Sequence, residues 1–351
     1  MNRFLATLVL PAFLLACGGG SNPFDPDPVA PDPTPPDEEN PVTDAGIPEA
    51  LAGDLTRLNY DPANQTLTVE GITLDEVPFV ATYRRRANLD RNGYQAYTAQ
   101  NDPLDRHYTA YTAQSNNDGA VRGGVVASSG PRNRYFGGGF YERDGAYTPP
   151  DVTPTSGMVS YSGAYVGIVN IGARDDGPGS IDDLADVPAT TDPALIPDQA
   201  ALVDGRIFIN ADFADGAVEG NIYDRALIDP TTGNVAILDD PANPGTPIPA
   251  TLPDLVLIST PINDDGTFYS TEVEYDQRGQ TSNVIGNSIG QWGGIFGGDN
   301  ASGVAGTVHL EEFDGPNNPL GLEAEEEYGT FVLDQCGQAV EDTLGCAGTN
   351  P

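Results

Sequence analysis

Residues 290–310, GQWGGIFGGDNASGVAGTVHL, hold seven of the chain's 42 glycines and its one tryptophan. Glycine loses more conformational freedom on ordering than any other residue, so such density needs a geometric reason. Three readings are open: a flexible linker, a phosphate-cradling loop, or tight β-structure. A linker does not carry apolar residues throughout, as this segment does. A phosphate loop needs a lysine and a following helix pattern, and the chain contains no lysine at all. Glycines that alternate with apolar residues mark sharp bends, or places where large side chains from across a core need room. Small closed barrels turn their corners on such kinks. The segment therefore belongs to a β-barrel, with Trp292 and Phe296 filling the space.

Strand alternation recurs on both sides of this stretch. In GRIFINADFADGAVEGNIY (205–223), Ile207, Ile209, Ala211 and Phe213 share a face, Asp215-Gly216 turns the chain, and Val218, Gly220 and Ile222 resume that face. A second Asp-Gly turn in NDDGTFYSTEVEYD (263–276) precedes Tyr269, Thr271, Val273 and Tyr275 on one face. SGMVSYSGAYVGIVNIG (156–172) aligns Val159, Tyr161, Tyr165, Val169 and Ile171, and GVAGTVHL aligns Val304, Gly306, Val308 and Leu310. YGTFVL closes the series after the acidic loop EEFDGPNNPLGLEAEEEYG (311–329). Further upstream, TRLNYDPANQTLTVEG reads as a hairpin around Pro62-Ala63-Asn64. The near-repeat QAYTAQN (95–101) and TAYTAQS (109–115) reads as two paired strands, and YFGGGFYE (135–142) echoes the aromatic-glycine pattern.

The pieces GRIFINADFADGAVEGNIYD, INDDGTFYSTEVEY, GQWGGIFGGDNASGVAGTVHL and EEEYGTFVLDQC together resemble the barrel domain of transferrin-binding protein B and related surface lipoproteins. The resemblance covers about residues 156–335. It implies a handle-like β-unit before the barrel, and an iron- or haem-related or other nutrient-bearing ligand captured at the cell surface and handed to an outer-membrane transporter. Members of that family that capture host proteins carry two such lobes; one is legible here.

Charge divides the chain. Fifty-two acids against fifteen arginines give a formal net charge of −37, which argues against nucleic acid and against electrostatic docking on anionic membranes. Residues 51–150 carry ten arginines and eleven acids, whereas residues 151–335 carry four arginines and thirty-one acids. A step of that size marks two units with different surroundings. It also leaves a basic island, Arg84, Arg85, Arg86 and Arg91, as the candidate docking patch for an anionic or acidic partner. Guanidinium forks bind carboxylate and phosphate well. The competing reading of the island is a solvated loop neutralised by the acidic barrel.

MNRFLATLVLPAFLLACGGGSN opens with one arginine and an apolar run too short to span a bilayer. Leu14-Leu15-Ala16-Cys17 looks like a bacterial lipobox, with cleavage before Cys17 and acylation of it; an ordinary signal peptide is the alternative. Acyl chains on Cys17 would anchor the protein to the membrane, and Gly18 after the cysteine points to export to the outer membrane. The Pro/Asp-rich stretch that follows reads as a disordered tether. With Cys17 lipidated, Cys336 and Cys346 remain as a pair in an oxidising compartment. They read as a disulfide, with two free thiols or a metal pair as the alternatives.

No catalytic motif surrounds His107 or His309. His309 falls opposite Val308 and Leu310, a polar position on the barrel wall, with haem or metal ligation as the alternative. The Asp-Asp pairs at 175–176, 182–183, 239–240 and 264–265 lack the spacing of a calcium loop. The expectation is an all-β, acidic, non-enzymatic lipoprotein: signal peptide 1–16, lipidated cysteine and tether 17–50, small N-terminal β-unit 51–150, an eight-stranded or similar antiparallel β-barrel 151–335, and a disulfide-closed tail 336–351. It has no metal site and no cofactor beyond the lipid, haem or calcium being the alternatives. Its partners are the membrane, through the anchor, and an unknown protein or solute. A structural or adhesive surface protein without a soluble ligand is the alternative function.

Overall fold

The computed structural model describes residues 46–72, 78–129, 135–153, 157–175, 177, 179–239, 243–276, 287–315, 320, 324–339 and 341–347. Cys17, the signal peptide and nearly all of the expected tether lie outside the described residues. Of the segment expected as tether, residues 46–50 are described, and Ile47 is buried there, as is Leu51 just beyond it. These two apolar residues flank the start of a single helical turn, α1 (Glu49–Ala52), and dock it on the N-terminal unit.

Seven strands follow in chain order, each antiparallel to the next: β1 (Leu55–Asp61), β2 (Thr66–Ile72), β3 (Pro78–Arg85), β4 (Gln95–Ala99), β5 (Tyr108–Gln114), β6 (Val121–Ser128) and β7 (Gly137–Arg143). The β1–β2 hairpin closes on Asp61, whose carboxylate accepts from the backbone N–H groups of Ala63 and Asn64 at 3.0 and 3.1 Å. The near-repeat pairs as its sequence implies, from Gln95 opposite Thr112 to Ala99 opposite Tyr108.

Then come β8 (Met158–Ala173), β9 (Gln199–Asp212), β10 (Ala217–Ile228), a small separate hairpin of β11 (Ile237–Asp239) and β12 (Pro247–Pro249), β13 (Leu255–Pro261), β14 (Thr267–Tyr275), β15 (Gly290–Gly297), β16 (Gly303–Leu310) and β17 (Glu327–Asp334). β8, β9, β10 and β13–β17 form a closed eight-stranded barrel, in which β17 pairs back onto β8. Both expected Asp-Gly turns are present. Asp212 accepts from the N–H groups of Ala214 and Asp215 ahead of Gly216, and Asp265 accepts from Thr267 across Gly266. Gly216 and Gly266 have φ of +67° and +80°, a conformation that side chains other than glycine rarely adopt.

The barrel interior is filled as the alternation implies. Val159, Tyr161, Tyr165 and Val169 of β8 meet Ile207, Ile209 and Ala211 of β9, with Trp292 and Phe296 fully buried among them. Phe268 packs 5.2 Å from both Trp292 and Phe296. One face assignment is corrected. In β14, Phe268 points inward and Thr271 is exposed, while Val273 and Tyr275 are inside as expected. A β-bulge between Ser270 and Val273 shifts the register against β15, so the parity of the strand reverses at mid-length.

The outer wall of the barrel is buried too. Val166, Ile168, Leu202 and Tyr328 pack against Tyr94, Tyr111 and Val125 of the N-terminal sheet. Glycines of β7 permit this approach. A Cβ on Gly137 would lie 2.6 Å from the Tyr328 ring, and one on Gly139 would lie 2.4 Å from the Thr307 methyl. The two β-units therefore share one apolar seam.

Cys336 and Cys346 are joined in a disulfide across a sequence separation of 10. Closing so short a loop contributes about 2–3 kcal/mol in the chain-entropy model. Replacing both cysteines by serine should lower the urea-unfolding free energy by that amount. A loss below about 0.5 kcal/mol would mean that the tail is held by its other contacts.

Candidate functional site

Antiparallel closure sends alternate connections to opposite ends of the barrel, and the two ends differ. One end carries the short turns 213–216, 262–266 and 298–302; the other carries the long connections 174–198, 229–254, 276–289 and 311–326. The long connections hold eighteen acids and two arginines, against four acids on the short turns. Long loops on a rigid frame are where binding surfaces are built.

Described residues of three of these loops are tied to one another. The Ile181 N–H donates to the Thr231 carbonyl at 2.8 Å, joining the first loop to the second. The Arg225 guanidinium donates to the carbonyls of Pro253 (2.7 Å) and Phe313 (3.3 Å), joining the second to the fourth. Phe313 itself is fully buried, and its N–H donates to the Glu325 carboxylate at 3.0 Å. Burial raises the Glu325 carboxyl above its ordinary range, and the neighbouring Asp314 carboxylate adds to the rise.

Arg225 is anchored inside the barrel. It donates to Glu327 at 2.6 Å, and Tyr165 donates to the same carboxylate at 2.6 Å; the Arg225 and Glu327 side chains have no exposed surface. Two glycines make room for the group. A Cβ on Gly329 would sit 1.8 Å from the Tyr165 hydroxyl, and one on Gly167 would sit 2.6 Å from Glu327 Oε1. Sequence reading missed this trio by assigning Glu327 to an acidic loop, whereas β17 starts at Glu327. The available signal was parity, since Glu327 falls in step with Gly329, Phe331 and Leu333, the inward positions of that strand.

The basic island lies where the N-terminal unit meets this loop end. Arg84 and Arg86 both pair with Asp183 of the first long loop, and Thr98 donates to the same carboxylate. Arg85 makes two 2.6 Å bonds to Asp90 and lies over the Tyr97 ring. Arg91 grips Asp204 with two nitrogens, at 2.9 and 2.5 Å, and donates to the Gly233 carbonyl at 3.0 Å. Hydrogen bonding to Asp90 and to Asp204 raises the Arg85 and Arg91 guanidinium pKa values further. Only Arg84 is largely exposed, at 65% of its side chain.

His107 is buried and His309 partly buried, and none of their ring nitrogens has a hydrogen-bond partner among the described residues. Burial lowers the His107 pKa to about 3, with Arg86 and Arg84 adding to it, and lowers His309 to about 4. His309 stacks on Tyr328 at 4.4 Å. No group of three His, Cys, Asp or Glu side chains converges as a metal site among the described residues. Of the Asp-Asp pairs, Asp183 serves the island, Asp182 accepts from Ser180 and the Asp175 N–H, and Asp265 is taken by its turn. Asp176 and Asp240 lie outside the described residues.

No protein-family model and no curated protein matches the chain. Among solved structures it is similar to transferrin-binding protein B. An intact form with N and C lobes is 12% identical with a TM-score of 0.33, covering 80% of this chain and 55% of that one. A double mutant (Tyr-167-Ala and Trp-176-Ala in its own numbering) of the vaccine antigen from Haemophilus parasuis Hp5 is also 12% identical, with a TM-score of 0.33 and coverage of 79% and 52%. The isotype 1 protein from serogroup B Neisseria meningitidis is 14% identical, with a TM-score of 0.31 and coverage of 79% and 51%. The chain spans about half the length of these structures. At this identity the likeness is one of β architecture and assigns no ligand.

Proposed function

We propose that the protein is a non-enzymatic outer-membrane lipoprotein, anchored through Cys17, that captures a ligand at the cell surface on the loop end of its barrel. The observation that supports this most is the gathering of the long connections at one end, tied together through Ile181–Thr231 and Arg225. A pre-ordered loop surface loses little entropy when it binds. Arg86 and Arg91, on Asp183 and Asp204, would hold the N-terminal unit against that end, and Arg84, the most exposed of the island, would meet an acidic group on the partner. The ligand class proposed is an iron- or haem-related or other nutrient-bearing protein or solute, passed to an outer-membrane transporter.

Protease shaving of intact cells, with a periplasmic protein as leakage control, tests the placement. Cleavage in intact cells, abolished for Cys17→Ala, is the expected result; full protection until lysis would overturn it. Capture from growth medium on the purified protein tests the activity. Retention of a saturable ligand, reduced when Arg84–Arg86 are replaced by glutamine, is expected. No retained ligand together with an attachment defect in cells lacking the protein would replace capture with adhesion.

A further inference from the structure

A cleft of about 550 Å³ opens on the side of the molecule, between the outer wall of the barrel, the N-terminal unit and the disulfide-closed tail. None of its lining residues belongs to the four long connections. Its barrel wall is formed by Ser162, Gly163 and Ala164 of β8 and by Asp204, Gly205 and Arg206 of β9. Asn92, Gln114 and Asn116 face it from the N-terminal unit, and Glu341 and Asp342 from the tail.

The tail wall is fixed in place. Asp342 accepts from Ser162 at 2.9 Å and pairs with Arg206 on the barrel. Gly345 lies flush on the same wall, where a Cβ would be 1.6 Å from the Ser162 hydroxyl. The Cys336–Cys346 bond closes the ring that carries Glu341 and Asp342.

The charge around the cleft does not balance. Asp204 is paired with Arg91, and Asp342 with Arg206. Asp224, Asp334 and Glu341 also line it, and no cation pairs with any of them among the described residues. Asp334 is capped by the N–H groups of Asn116 and Asn117 and by the Asn116 amide, which satisfies its oxygens but leaves its charge. A concave surface with a surplus of one sign concentrates counter-ions. The carboxylates do not converge as metal ligands, so the complementary ligand is an extended organic cation that reaches carboxylates on separate walls.

We infer that this side cleft is a binding site for a linear aliphatic polyamine, with Asp224 of the barrel and Glu341 of the tail taking its ammonium groups and the disulfide-closed tail completing the site. The volume lies within the range of small-molecule pockets. Asparagine and glutamine amides between the acidic walls offer carbonyl oxygens to the remaining N–H groups.

Calorimetric titration of the full mature protein with spermidine at low salt tests this. One equivalent should bind, weakening as salt rises. Asp224→Asn with Glu341→Gln should weaken it at least tenfold, because each charged hydrogen bond lost is worth about a factor of ten. Asparagine tolerates the left-handed backbone of residue 224, whose φ is +54°. Glu272→Gln with Glu274→Gln removes the same charge from β14, away from the cleft, and should leave affinity unchanged. Replacing Cys336 and Cys346 by serine should weaken binding while retaining the folded circular-dichroism spectrum. Absence of binding, several equivalents bound, equal weakening by the β14 pair, or stoichiometric displacement by calcium would each overturn the assignment. Loop-end capture can fail without affecting any of these outcomes.

Discussion

Glu327→Gln should destabilise the protein by about 3–5 kcal/mol, the cost of leaving a buried charge without its partner. Arg225 has no exposed surface and takes its counter-charge from Glu327. A neutral amide at 327 keeps the shape and still accepts a hydrogen bond, so the loss reports charge rather than volume. The Tyr165 hydroxyl and the Arg225 guanidinium donate to different oxygens of this carboxylate, so the single amide oxygen of glutamine serves only one of them. Arg225→Met combined with Glu327→Leu should recover part of that loss, because apolar replacements of similar volume remove the desolvation cost of both ions, while the Tyr165 hydroxyl and the Pro253 and Phe313 carbonyls are left without this partner. Urea unfolding of Arg225→Met, Glu327→Leu and the double variant forms the cycle that measures this. A Glu327→Gln loss below about 1 kcal/mol would show that water reaches the pair.

The same cycle separates stability from loop order. Arg225 is the donor to the Pro253 and Phe313 carbonyls, and methionine cannot replace those bonds. The double variant should therefore be more stable than Glu327→Gln while amide exchange around Phe313 speeds up. If the loop end is the capture surface, that variant should fold normally and bind its ligand less tightly. A buried ion pair in an otherwise apolar barrel is thus best explained by where it places two loops, not by what it adds to stability.

Much of this architecture is legible in the sequence because strands obey a two-residue period that burial enforces. Val159 to Val169, Ile207 to Ala211 and Val304 to Leu310 each point inward at alternate positions. The Asp-Gly turns fix the hairpin ends through side-chain bonds that span only two or three residues. What escapes reading is what depends on the partner strand. The β14 bulge that turns Phe268 inward is set by pairing with β15, and no local residue marks it. Glu327 reads as one more acid in a run of three, since the cation that neutralises it stands 102 residues earlier. Likewise the arginine island is conspicuous in composition, but its acceptors Asp183 and Asp204 lie on the other β-unit. Glycines at 167 and 329 do follow from the rule that they make room for large side chains; only the identity of the occupants needs the fold.

Acidification should weaken the fold through its two histidines by about 2 kcal/mol each at pH 5. In the unfolded chain each imidazole takes up a proton near its ordinary pKa of about 6.5. In the folded protein His107 does so only at about 3 and His309 at about 4. Between those limits the unfolded state holds more protons, so stability falls as pH drops below about 6.5 and levels out below the folded values. Half-buried carboxyls act the other way: desolvation raises Asp54 and Glu326, which favours the folded state as they protonate. His107 is faced by Arg84 and Arg86, which oppose its protonation, whereas Glu326 stands 4.0 Å from His309. Comparing each His→Gln variant with the wild type removes the shared carboxyl contribution. Each should lose about 2 kcal/mol of the difference in stability between pH 7.5 and pH 5, measured by urea unfolding. An unchanged pH profile in His309→Gln would mean that Glu326 moves in to pair with the imidazolium. His309 stacks on Tyr328, which stacks in turn on Tyr135 of the N-terminal unit. Its protonation therefore loads the seam between the two β-units, and amide exchange at residues 135–137 should rise in acid before that of the barrel strands.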